Sequence, residues 1–213
     1  MESEAFDVTI RSFLTQVSAT KPTPGGGSVA AVVTALGCAT AAMATAVAAN
    51  RRNLSAQEHG FLEQHLEGIR ESISYMEELC RADERLFDDY LQVLRHAQPS
   101  EEAHGDGDGA LSRSIVAATE IPLLIASECT KTLERIQDVA AFVRPKFLSD
   151  IGISVLLLEA AGQSALLLVD SNMHVIQDEF LNTSMKNDRM HLGDRLSELR
   201  AGIMSKLNEP PSE

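Results

Sequence analysis

An aspartate stands where the surrounding spacing asks for a hydrophobe. From Leu62, the residues Leu66, Ile69, Ile73, Met76, Cys80, Asp83, Phe87, Tyr90 and Leu94 follow at alternating steps of four and three, the rhythm of a helix face packed against other helices. Every position on that seam is apolar or amphipathic except Asp83. A carboxylate facing an interior is costly when unpaired, and burial raises its pKa unless a cation or backbone donors compensate. Perturbed acids of this kind concentrate at catalytic sites, so Asp83 is the first candidate for proton transfer. The competing readings are an ion pair with an arginine across a bundle, or a helix rotated to turn Asp83 outward.

The second candidate is Pro22-Thr23-Pro24-Gly25-Gly26-Gly27-Ser28. Three glycines ahead of a helix permit positive φ and close backbone approach, and free N–H groups with the helix dipole can hold an anion. No Lys-Ser/Thr pair follows, so this is not a P-loop; no strand precedes, so it is not a dinucleotide fingerprint. A tight entry into a crowded helix explains the glycines equally well. Arg51 and Arg52, at the far end of the following helix, read either as cations at a helix C-terminus or as an anion clamp. His59, His65, His96, His104, His174 and His191 show no ligand spacing, and no metal is expected. The Asp-Gly-Asp-Gly run from Asp106 has Ala117 at its twelfth position instead of a bidentate Glu, so it reads as part of a solvated acidic loop, Gln98 to Gly109, and not as a calcium site.

These residues need helices to position them. Helical patterns cover residues 5–19 (Phe6, Ile10, Phe13, Leu14 and Val17 on one face), 28–49, 56–96, 111–143 with an interruption or kink near Pro122, 151–169 behind a Ser149-Asp150 cap, and 177–207. The chain has 213 residues, 44% of them hydrophobic but only 4% aromatic. An aliphatic, alanine-rich core suits helices and disfavours sheets, so the expected fold class is all-α: a multihelical bundle, one domain over residues 1–213, with a buried central Ala-rich helix. A formal charge of −13 and few aromatics argue against nucleic-acid binding. Cys38, Cys80 and Cys129 lie far apart in apolar helical patterns, which reads as buried reduced thiols in a cytoplasmic protein. The acidic start, Met1 to Asp7, lacks the layout of a signal peptide. Val29 to Ala49 is uncharged and long enough to span a bilayer. It is mostly alanine without an aromatic girdle, so it is read as a helix buried on all sides, not as a membrane span.

Taken in order, Pro-Thr-Pro-Gly-Gly-Gly-Ser, the Ala-rich helix with Met43, Asp83-x-x-x-Phe87, Pro122 and Ser149-Asp150-x-Gly152 resemble the formimidoyltetrahydrofolate cyclodeaminase/methenyltetrahydrofolate cyclohydrolase family over nearly the whole chain. The resemblance implies a helical homodimer acting on a small folate substrate, without metal or redox cofactor. It implies Asp83 as the catalytic acid/base. It implies Gly26, Gly27, Ser28, Arg51, Arg52, Asp150 and Asn172 as substrate-binding, the arginines meeting the folate's glutamate carboxylates. The chain departs from the family pattern at Asn50 and Leu54, where Gly and Tyr are usual, at His96-Ala97-Gln98 in place of Leu-Pro-Lys, and at Leu168, where the first of two asparagines is usual. Two other readings stand beside the folate enzyme: a diverged member that cyclises or hydrates a different small metabolite, and a non-catalytic helical dimer.

Overall fold

The computed structural model describes residues 5–96 and 107–207. Helix α1 spans Ile10–Val17, α2 Gly26–Ala49, α3 Ala56–His96, α4 Gly107–Val139, α5 Leu148–Met173 and α6 Glu179–Leu207; two 3-10 turns, Ala140–Phe142 and Pro145–Phe147, join α4 to α5. This is the all-α bundle that the composition calls for. Most of the acidic loop expected over Gln98 to Gly109 lies outside the described residues, as do Ala97, Gln98 and His104.

Several boundaries move: α2 starts two residues early, α4 starts at Gly107 inside the expected loop and ends at Val139, α5 runs on to Met173, and three helix starts move for a local reason. α1 begins only after Thr9, whose hydroxyl accepts from the Ser12 N–H at 3.2 Å. Its apolar residues divide: Phe13 is buried and Phe6 and Val17 pack on the core, whereas Ile10 and Leu14 face solvent. α5 starts at Leu148, so Ser149 and Asp150 fall in its first turn and not at its cap; Asp150 there complements the helix dipole. At α6 the cap is Asp178, which accepts from the N–H groups of Phe180 and Leu181 at 2.9 and 3.0 Å. Pro122 sits inside α4 without interrupting it.

The middle of the bundle is α2, packed against α3, α5 and α4. Small residues let the backbones approach closely. A Cβ on Gly37 would stand 2.9 Å from Leu158 Cγ, and the Ser154 hydroxyl donates to the Gly37 carbonyl at 2.7 Å. A Cβ on Gly26 would meet Leu168 at 3.3 Å. Early α2 thus lies beside late α5, and the two helices run antiparallel.

The expectation that α2 is buried on all sides is corrected. Ala30, Ala31, Cys38, Ala41, Ala44 and Ala48 are fully buried, but Leu36 is 52% and Met43 41% exposed. One side of α2 packs and the opposite side is apolar yet open. A helix apolar all round carries no amphipathic signal, which is why the sequence pattern does not reveal the open side. α2 and the segment Pro145–Met173 are both long and apolar enough to cross a membrane, and about half of the most apolar stretch of each is buried inside the bundle. Burial of that extent fits core helices of a soluble protein.

Candidate active site at the start of the alanine-rich helix

The first turn of α2 meets α3 at Asp83. Gly26 and Gly27 are the first residues of the helix, preceded by Gly25 at φ −123°. The glycines are therefore needed for close approach and not for a left-handed turn. A Cβ on Gly27 would collide with both oxygens of the Asp83 carboxylate, so only glycine allows that carboxylate to lie against the helix.

The backbone N–H of Ser28 donates to Asp83, and the Ser28 hydroxyl donates to Glu84 Oε1 at 3.1 Å. One serine thus holds two successive acids of α3. The Cys80 thiol lies 3.9 Å from the same Glu84 oxygen, and Thr23 Oγ1 donates to Asp88 Oδ1 at 3.2 Å, tying the Pro-rich approach to the next turn of α3. Free helix N–H groups attract negative charge. Here one of them, that of Ser28, is taken by the protein's own carboxylate.

Asp83 is pushed up to about 6. Burial is the largest cause, the neighbouring Glu84 charge adds to it, and the Ser28 N–H opposes both. A carboxyl titrating near neutrality can hold a proton or release one under working conditions, which is what a general acid/base requires. Among the described residues, no arginine is among the groups acting on Asp83. Arg81 is turned to Asp7 at 3.9 Å. Cys80, buried beside the acids, is raised to about 12 and stays a thiol.

The other sequence-derived candidates divide between the two ends of α2. Asn172 lies one turn beyond Leu168, at the Asp83 end. Arg51, Arg52 and Asp150 lie at the opposite end, because α5 is antiparallel to α2. The 24 residues of α2 separate the arginines from Asp83 by about 36 Å along the helix. Arg51 is fixed there, its Nη1 donating to the Phe142 carbonyl at 3.0 Å while its Nε is buried without a partner. Within one chain, these three residues do not join the site.

Glu84 was not marked by the sequence pattern. It lies off the α3 seam, and only the pair of successive acids opposite a serine hints at it. A second buried acid also escaped notice. Glu128, 6% exposed, accepts from Ser72 at 2.6 Å and lies 3.2 Å from Lys131 and 3.5 Å from Arg135. Those partners satisfy it, and it reads as a structural link between α3 and α4. Among the described residues, no three His, Cys, Asp or Glu side chains converge as metal ligands.

The sequence matches the formiminotransferase-cyclodeaminase family over residues 9–191, and the chain belongs to that family. It is 26% identical over 206 residues to the methenyltetrahydrofolate cyclohydrolase of Methylorubrum extorquens, a match covering 94% of this chain and 92% of that one. It is 26% identical over 178 residues to the formimidoyltransferase-cyclodeaminase of Mus musculus, covering 84% of this chain and 33% of the mouse protein; the chain corresponds to about a third of that relative. A solved structure of formiminotetrahydrofolate cyclodeaminase from Thermotoga maritima superposes with a TM-score of 0.85 at 22% identity, over 96% of this chain and 98% of the other. That likeness is one of fold.

Proposed function

We propose that the chain closes or opens the 5,10-methenyl bridge of tetrahydrofolate, with Asp83 as the acid/base. The observation that carries this reading is the Asp83 carboxyl laid against Gly27, held by the Ser28 N–H and raised to about 6. In the cyclodeaminase direction, N10 of 5-formimidoyltetrahydrofolate attacks the carbon of the protonated formimidoyl group (CH=NH2+), N10 loses its proton, and the departing NH2 takes one to leave as ammonia. In the cyclohydrolase direction, water adds to the methenyl carbon and loses a proton, then one C–N bond opens as its nitrogen gains one and the carbinol O–H releases its proton to solvent, leaving a formyl group. Either sequence asks one group to accept a proton and return it, and neither changes an oxidation state. The folate is then the substrate and no redox cofactor or metal is required. Membership of the family and the names of its relatives support the substrate class. The three free, buried cysteines suit a cytoplasmic setting.

The test follows the methenyl chromophore with 5,10-methenyltetrahydrofolate and, separately, with 5-formimidoyltetrahydrofolate. Asp83→Asn should lower turnover by about 100-fold or more. Undiminished turnover in that variant removes Asp83 from the chemistry, and no turnover of either folate by the unaltered protein removes the substrate assignment.

One observation favours the diverged-member reading. Leu168, where the family usually has asparagine, is the side chain nearest Gly26. An apolar group there replaces an amide at the edge of the site, and failure of both folates would direct the search to a less polar substrate.

A further inference from the structure

The last backbone donor of α2 without a partner inside the helix belongs to Ser28. Intrahelical bonding begins one residue later, where the Val29 N–H donates to the Gly25 carbonyl at 3.0 Å, since the first four N–H groups of a helix have no acceptor within it. Ser28 is completely buried, and it gives both its protons to α3: the N–H to Asp83 and the hydroxyl to Glu84 Oε1. A hydroxyl has one proton to give. With it committed to Glu84, Ser28 meets Asp83 as a donor through the backbone only. The Cys80 thiol, which keeps its proton, approaches the same Glu84 oxygen at 3.9 Å.

We infer that Glu84 is a positioning residue for Asp83: it pins Ser28 by the hydroxyl, so fixing the N–H on which the Asp83 carboxyl rests, and it sets a like charge beside that carboxyl. This rests on the proposed function for what Asp83 does, not for how Glu84 acts on it. Packing alone does not select an acid at position 84. Glutamine has the same shape and accepts from Ser28 through its amide oxygen, without placing a second negative charge next to a buried carboxyl. A like charge close by disfavours ionisation, so Glu84 helps Asp83 to keep a proton that it can later give. The charged groups on the surrounding elements are engaged elsewhere or turned to solvent. α2 carries none, and Arg81 reaches to Asp7 ahead of α1. Asp88 is held by Thr23, and Asp170, at the near end of α5, is paired with Arg189 at 2.8 Å. Arg113 and Glu120 of α4 are exposed. Among the described residues, Glu84 is the charged group that acts on Asp83, and it opposes ionisation there. One serine therefore couples the two acids, its backbone favouring the charged form of Asp83 and its hydroxyl holding the charge that resists it.

The charge is tested without any substrate. Aspartate carboxyl carbon signals are followed by NMR against pH, Asp83 being the signal that Asp83→Asn lacks. Glu84→Gln keeps the acceptor for Ser28 and removes the charge, so the Asp83 midpoint should fall by about one pH unit. It should stay above the ordinary 3.8, because burial, the larger cause, persists. Glu84→Ala should show the same fall. Asp88→Asn changes the net charge equally but away from Asp83, and should leave the midpoint in place. A midpoint unmoved in both Glu84 variants, or moved as far by Asp88→Asn, overturns the proposal. Folate turnover tests the clamp. In Glu84→Gln the acid limb of kcat/KM against pH should move with the Asp83 midpoint. Glu84→Ala leaves the Ser28 hydroxyl unheld, so its kcat should drop roughly tenfold below that of Glu84→Gln, with the helical circular dichroism kept. Equal kcat in the two variants overturns the clamp. A midpoint that moves while the acid limb stays would remove Asp83 from the chemistry, and leave the action of Glu84 on Asp83 upheld.

Discussion

A charged Asp83 is costly to the fold, because it is buried beside Glu84. In the folded chain it keeps its proton to about pH 6, against an ordinary value of 3.8. Between those limits the folded state binds more protons than the unfolded one, so stability falls as pH rises through the window. The penalty at pH 8 is worth roughly 3 kcal/mol. Asparagine carries no charge, still accepts from Ser28, and escapes that penalty. Asp83→Asn should therefore melt above the unaltered protein at pH 8, with the difference shrinking between pH 6 and pH 4. Thermal scans across that range decide the matter, and a gap constant with pH would show that burial of the charge is not its source. Asp83 itself was legible because it broke a counted spacing. Its partners were not. Glu84 and Ser28 lie 56 residues apart, and a seam gives the direction in which a side chain points without naming what it meets.

At the scale of the element, each helix was visible from its period and its punctuation, while the direction of one helix along another was not. The resemblance assembled Gly26, Arg51, Asp150 and Asn172 as members of one site. The antiparallel course of α5 along α2 sorts them into opposite ends, and no local pattern records that course. Glycines do record where helices touch, once the partner is known. Gly37→Ala gains helix propensity of about 1 kcal/mol but drives a methyl to 2.9 Å from Leu158 Cγ, in a buried place where overpacking costs about 1–3 kcal/mol. Packing should win, and the urea midpoint should fall. Gly202→Ala in α6 meets nothing within 4 Å, so the propensity gain stands alone and the midpoint should rise. Equal shifts in the two variants would show that close packing of α2 on α5 is not what glycine serves.

Taken whole, the molecule combines a formal charge of −13 with a core of small aliphatic side chains. Like charges at that density repel each other in the compact state, and salt screens them. Raising sodium chloride from low concentration to about 0.5 M should raise the melting temperature, whereas a fall would mean that attractive ion pairs such as Arg189–Asp170 and Arg195–Glu134 dominate. Composition was enough for the fold class, because few β-branched and aromatic residues leave sheets little to pack. It was misleading about α2. A stretch without charge announces burial, but it does not say that one side of the helix, at Leu36 and Met43, stays open.

The bond from Ser154 to Gly37 spans 117 residues, and that distance is also an interval of time. A ribosome adding about 5–20 residues each second needs roughly 6–23 s to make the stretch between them. α3 follows α2 directly and can shelter one side of it early. The row that receives α5 must wait until the last third of the chain has emerged, leaving a nascent helix of alanine and valine uncovered through most of synthesis. Slow translation ahead of α5 would lengthen that exposure.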